Sequence, residues 1–235
     1  NKNFQVHFIS YEKPVRLNYL NDNLIFHKVN VPNYPLFKFP PYELALTTKI
    51  VELVESGAIQ VLHVHYAIPH AYAAVSAQKI LKSKGYTIPI ITTLHGTDIT
   101  LLGNQPSVRS VINYSINESD IVTAVSNDLK KETIKNFEIK NDIKVIPNFI
   151  DLGKLNLSSR KIHSNTKVLT HISNFRPVKR VLDVINIFKR VNSIIDCKLF
   201  MIGDGPERIP TESLVKKYNL DKKVIFLGNT KDIEK

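Results

Sequence analysis

Nine short runs rich in β-branched and other apolar residues punctuate the chain: QVHFIS, LIFHKVN, VLHVH, IPIITTL, IVTAVS, IKVIP, KVLTHIS, KLFMIG and KVIFLG. They recur at intervals of roughly 25 to 30 residues, and most are separated by stretches whose apolar positions repeat every three to four residues. That alternation predicts βαβ units and a mostly parallel sheet. Two helices are legible to their ends. One runs through PYELALTTKIVELVES, opened by Pro41 and closed at Gly57, and the other through AYAAVSAQKILKSKG, closed at Gly85. The segment SNFRPVKRVLDVINIFKRV predicts a third, with Val181, Leu182, Ile185, Phe188 and Val191 on one face and Pro177 in its first turn.

The pattern fails once. NLSSRKIHSNTK, after IKVIPNFIDLGKL, is polar and has no apolar period, which predicts a linker between two α/β domains. The first would hold residues 1–155 and the second residues 156–235. Three strands and two or three helices are few for a doubly wound sheet, so the second domain reads as truncated. No internal repeat and no low-complexity tract occurs.

At 235 residues and 43% apolar content the chain can bury a substantial core. It contains no run of eighteen or more apolar residues. It opens NKNFQVHFIS, without methionine or a signal-like start, and is expected to begin inside a longer reading frame. The single cysteine, Cys197, excludes an internal disulfide; its apolar setting predicts a buried thiol in a reducing cytoplasm. Thirty-two Lys and Arg against 21 Asp and Glu give a net charge of +11, which favours anionic partners. The cations are dispersed, with no block of five and no interleaved aromatics to stack bases, so nucleic acid is not expected as a partner. Nor is stable membrane insertion. The oligomeric state is left open, homo-oligomers included.

In open parallel sheets, ligands bind beyond the carboxyl ends of the strands. The unusual residues gather at those ends: His63, His65, Tyr66 and His70 after one strand, His95 and Thr97 after the next, then Ser126 and Asn127, Asn148, and Asn174, Arg176 and Lys179. The stretch TLHGTDIT carries more short polar side chains than a turn requires; Asp98 alone suffices to cap the helix that follows. Arg176, Lys179 and Arg180 crowd a predicted helix N-terminus, where the macrodipole disfavours cations. A bound phosphate or diphosphate would resolve that conflict. The turn IGDGPER, holding Gly203 and Gly205, permits close backbone approach but is weak evidence alone. No complete G-x-G-x-x-G, P-loop or G-x-S-x-G motif exists, so nicotinamide, P-loop and serine hydrolase chemistry lose their support. HVHYAIPH puts two histidines on one strand face without a convincing further ligand, so no metal site is expected.

Taken in order, HVHYAIPHAYAA, TTLHGTDITLLG, ESDIVTAVSNDLKKE, IKVIPNFID, ISNFRPVKR and IGDGPE resemble the retaining glycosyltransferases of family 4 over nearly the whole chain. The forms HGTDITLLG and SNFRPVKR are similar to those of the branch that glycosylates L-malate in bacillithiol biosynthesis. The resemblance implies a GT-B fold of two Rossmann-like, doubly wound parallel-sheet domains. It implies transfer of N-acetylglucosamine from UDP-N-acetylglucosamine to the hydroxyl of L-malate, without cofactor or required metal. His95 would act beside the donor sugar. Lys179, Arg176, Asn174, Gly203 and Gly205 would bind the donor, Lys179 facing its diphosphate. Thr97, Tyr66 and Arg109 would lie on the acceptor side, Arg109 because a guanidinium can clasp a dicarboxylate. Asn148 matches a turn at the domain junction.

Three departures qualify the likeness. Asn174 stands where the family carries an arginine, with Arg176 as the substitute cation. The family's first strand with its glycine-rich loop would precede residue 1, and its Glu-x7-Glu motif would follow residue 235, so a fragment without activity of its own is expected. The alternatives are a family 4 enzyme with another acceptor (inositol phosphate, lipid or polysaccharide) and a nucleotide-sugar-binding module without catalysis.

Overall fold

The computed structural model describes residues 4–14, 17, 23–33, 35–36, 38–150 and 166–230. All nine predicted strands are present: β1 (Val6–Ser10), β2 (Leu24–Lys28), β3 (Leu62–His65), β4 (Ile90–Leu94), β5 (Ile121–Ala124), β6 (Ile143–Val145), β7 (Lys167–Ile172), β8 (Cys197–Ile202) and β9 (Val224–Gly228). Every pairing between them is parallel. The helices are α1 (Tyr42–Glu55), α2 (Tyr72–Ser83), α3 (Thr97–Thr100), α4 (Pro106–Asn117), α5 (Asn127–Asn136), α6 (Val181–Asn192) and α7 (Arg208–Lys217). The chain divides into two compact units, Asn1–Phe149 and Ile150–Lys235. The linker read at residues 156–167 lies almost wholly outside the described residues, as does the boundary placed at 155.

In the N-terminal unit, β1 and β2 form a two-stranded sheet, and β3, β4, β5 and β6 a four-stranded one in sequence order. A core under α1 and α2 joins Leu46, Ile50 and Val54 to Ala73, Ala77, Leu81 and Ile90. The alanines explain why two helices pack closely there: a small side chain lets the backbones approach, and α1 packs against α2. A second core gathers Leu94, Ile99, Ile112, Ile116, Val122, Leu129 and Ile143 beneath α3, α4 and α5. Buried hydroxyls here are paired. Thr92 Oγ1 and Ser119 Oγ lie 2.7 Å apart, and Ser119 also donates to the Ser115 carbonyl at 2.8 Å.

The C-terminal unit is a three-stranded sheet, β7–β8–β9, covered by α6 and α7. Val181, Ile185 and Phe188 of α6 meet Cys197, Leu199 and Met201 of β8, so Cys197 is a buried packing residue. One expectation needs correction. Pro177 does not open α6; it opens a short 3-10 turn, Pro177–Lys179, that ends when Arg180 adopts left-handed backbone angles (φ 50°, ψ 43°). The helix starts afresh at Val181, because Val181 must turn into the core while the three residues before Arg180 stay exposed.

Candidate functional site

The carboxyl ends of β3 and β4 concentrate imidazoles. Residues of one strand point alternately to opposite faces, so His63 and His65 share a face. Register sets His65 opposite Thr93, and Thr93 opposite Thr123, which aligns a polar row on that face. Thr93 Oγ1 lies 2.9 Å from His63 Nε2 and 2.7 Å from Thr123 Oγ1. Two residues beyond Thr93, His95 brings its Nε2 to 2.8 Å from His65 Nδ1. The Tyr66 ring lies 4.8 Å from that of His95, and the His63 ring 4.7 Å from that of His65. His70 Nδ1 donates to the His65 carbonyl at 2.7 Å.

The loops that carry these rings are fastened by Asp98. Its side chain is buried, Oδ2 accepting the Ala67 N–H at 2.9 Å and Oδ1 accepting the Gly96 N–H at 2.9 Å. One carboxylate thus ties the turn after β3 to the turn after β4. Gly96 takes φ 115°, a conformation open to glycine, and lets the chain reverse directly behind His95. Tyr66 is held at φ 74° without that freedom, its N–H bonded to the Thr93 carbonyl at 2.9 Å. Backbone of this kind on a bulky residue is strained and persists only where its surroundings over-determine it.

Partial withdrawal from water, and after it the neighbouring imidazoles of His63, His95 and His70, draw the His65 pKa down to about 4. Burial, with His95 beside it, lowers that of His63. These rings are therefore neutral at pH 7. No group of three or more His, Cys, Asp or Glu among the described residues is arranged to hold a metal ion.

The C-terminal unit presents a second cluster after β7. Ser173 Oγ accepts the Phe175 N–H at 3.3 Å and lies 2.8 Å from His171 Nε2. Phe175, fully buried at φ 35°, anchors the exposed loop that carries Asn174, Arg176 and Lys179. Of the three crowded cations, Arg180 is paired, its Nε donating to Asp183 Oδ2 at 2.6 Å. Arg176 and Lys179 have no ion-pair partner among the described residues. Lys179 is close enough, after burial, to help lower the His171 pKa. Gly203 and Gly205 have a structural reason the sequence did not reveal. A Cβ on Gly203 would lie 1.8 Å from the Ser173 carbonyl oxygen, and one on Gly205 2.1 Å from that of Asn174. The close approach they permit is between the two loops of this unit.

The predicted residues are thus only partly gathered. His95 and Tyr66 stand together, and Thr97 begins α3 beside them with an exposed side chain. Arg109 is elsewhere engaged. Its guanidinium donates to the carbonyls of Gly103 and Asn136 and rides 5.1 Å over the Phe137 ring, in a hollow shared with Asn113 and Lys135. Ser126 caps α5, accepting the Leu129 N–H at 3.1 Å.

Residues 1–154 match the model of Glycosyltransferase Family 4, and residues 155–235 that of Glycosyl transferases group 1. The chain belongs to glycosyltransferase family 4. It is 43% identical over 97% of its length to N-acetyl-alpha-D-glucosaminyl L-malate synthase of Bacillus anthracis, and covers 61% of that protein. An uncharacterized glycosyltransferase of Methanocaldococcus jannaschii is 29% identical over 93% of the family 4 chain, which covers 57% of it. The chain therefore spans about six-tenths of the length of these relatives. Its fold is shared with Anabaena HepE, solved with UDP and glucose, at a TM-score of 0.72 and 16% identity over 97% of this chain and 62% of that one. A glycosyltransferase from Rickettsia africae aligns at 0.70 with 20% identity, over 97% and 61% respectively. The expected GT-B class of parallel α/β fold is the one found. No helix among the described residues is long and apolar enough to cross a membrane.

Proposed function

We propose that the complete protein transfers N-acetylglucosamine from UDP-N-acetylglucosamine to the hydroxyl of L-malate with retention at the anomeric carbon. The observation that carries this reading is the 43% identity, spread over 97% of the chain, to the N-acetyl-alpha-D-glucosaminyl L-malate synthase of Bacillus anthracis. A likeness of that extent includes both clusters described above.

Departure of UDP leaves negative charge on the diphosphate, and fixed positive charge opposite it lowers the barrier. Arg176 and Lys179, exposed and without ion-pair partners among the described residues, supply that charge; Arg176 takes the part of the cation lost at Asn174. Gly203 and Gly205 act in donor binding through the loop they shape. His95 addresses the donor sugar, and Tyr66 and Thr97 the acceptor. Arg109 clasps an acceptor carboxylate only by releasing the Gly103 and Asn136 carbonyls, so it is the acceptor residue with the most to rearrange. UDP-N-acetylglucosamine serves as substrate, and the chemistry assigned to these residues calls on no metal.

The test is UDP release from UDP-N-acetylglucosamine by the complete gene product, with and without L-malate. Release that depends on malate, and that weakens in Lys179→Ala, is the expected result. Release indifferent to malate points to another acceptor, such as an inositol phosphate, lipid or polysaccharide. Donor binding without release points to a non-catalytic module.

A further inference from the structure

Resting on the reading of His95 as the residue beside the donor sugar, we infer that His65 is its positioning residue, holding the His95 ring in one orientation and one tautomer through the hydrogen bond between His65 Nδ1 and His95 Nε2. The two nitrogens lie 2.8 Å apart, so one proton is shared between them and one ring must accept. His65 is drawn to a pKa of about 4, which keeps it an uncharged partner at neutral pH whichever way the proton lies. The character of His95 Nδ1, the nitrogen left for substrate, is then the complement of the shared bond. If His65 donates, Nδ1 carries a proton; if His95 donates, Nδ1 is a bare acceptor.

The surroundings of His65 are themselves fixed. Its carbonyl accepts from His70 Nδ1 at 2.7 Å, and since a carbonyl cannot donate, His70 is in its Nδ1–H form. That leaves His70 Nε2 to face Tyr42 Oη at 3.5 Å. The ring of His63 stacks on His65 from the preceding turn of the strand face. Tyr66, the next residue, is forced to φ 74° and sets its ring 4.8 Å from that of His95. Asp98 holds the backbone of the same turn through the Gly96 N–H. His95 is therefore gripped by a neutral imidazole, an aromatic ring and a buried carboxylate. Of these, only His65 touches a ring nitrogen of His95.

The experiment uses the complete protein labelled with 15N-histidine, His95 signals being assigned by their loss in His95→Gln. In the wild type the two His95 ring nitrogens report a single tautomer. In His65→Leu they average towards a mixture, and kcat for malate-dependent UDP release falls about tenfold while KM for the donor changes little. His65→Asn sets an amide where Nδ1 stood; it restores the single tautomer and most of the rate. A His95 tautomer unchanged in His65→Leu overturns the inference, as does an unchanged kcat or an Asn variant no better than Leu. The nitrogen signals are read without substrate, so they judge the His65–His95 pairing even if malate proves not to be the acceptor. Loss of malate dependence in the wild type would fall on the proposed function alone.

Discussion

At the scale of single residues, one side chain has its work defined by burial more than by chemistry. Asp98 sits among the short polar side chains of TLHGTDIT, yet it is 1% exposed and both its oxygens accept backbone N–H groups. Replacing it with alanine leaves the N–H of the fully buried Ala67 without a partner. The expected cost is about 1–3 kcal/mol of stability, with a smaller loss in Asp98→Asn, which keeps one acceptor. Thermal denaturation of the two variants checks this, and an Asp98→Ala protein as stable as the wild type would refute it. The sequence read Asp98 as the cap of the helix that follows, but it lies inside α3, whose N-cap position is Gly96 with no side-chain cap, and its oxygens reach back to N–H groups that precede the helix. Local sequence could not reveal the bond to Ala67, which lies 31 residues away. Arg109 shows the same limit from the other side: the sequence marks a free guanidinium, while the fold supplies the Gly103 and Asn136 carbonyls to which it donates.

Among elements, strands were the most legible, because a β-branched apolar run between turn residues has few other ways to bury itself. All nine runs became strands. The helix start at residue 177 was misread because Pro177 and the apolar face of Val181, Ile185 and Phe188 are each sound signals. Nothing local announced that Arg180 would adopt φ 50° between them. The glycines of IGDGPER are the counterpart, a correct signal of close approach whose object was hidden. Gly203→Ala would drive a methyl against the carbonyl of Ser173, whose N–H bonds the Ile202 carbonyl just past the end of the β7–β8 pairing. Overpacking of that kind costs about 1–3 kcal/mol, and φ 119° adds strain. Faster amide exchange in β7, β8 and β9, with β3 to β6 still protected, is the expected result. Unaltered protection of β7 and β8 would show that the two loops yield freely.

For the molecule as a whole, the histidines govern the response to acid. His65 binds its proton at about 4 when folded and near 6.5 when unfolded, so between those values the unfolded chain holds the extra proton and falling pH destabilises the fold. His63, His27 and His171 shift in the same direction. Asp142, hydrogen-bonded to Lys130, and Asp196, hydrogen-bonded to Lys223, have lowered pKa values, and their contribution is lost only below the ordinary carboxylate value of 3.8. The melting temperature should therefore decline from about pH 6.5 downward, before carboxylates titrate, and His65→Asn should flatten part of that slope. A melting temperature constant down to about pH 4.5 would contradict the shifts. The sequence by itself determined the parallel α/β class, the strands and the family, because hydrophobic period and short motifs are local and a parallel sheet needs helical crossovers. It also brought the strand-end histidines to notice, since strand ends are where such sheets leave side chains uncovered. Only the tertiary structure decided which of them meet. Contact between His65 and His95 depends on the register of β3 on β4, and register is set by the packing of both strands against a common core.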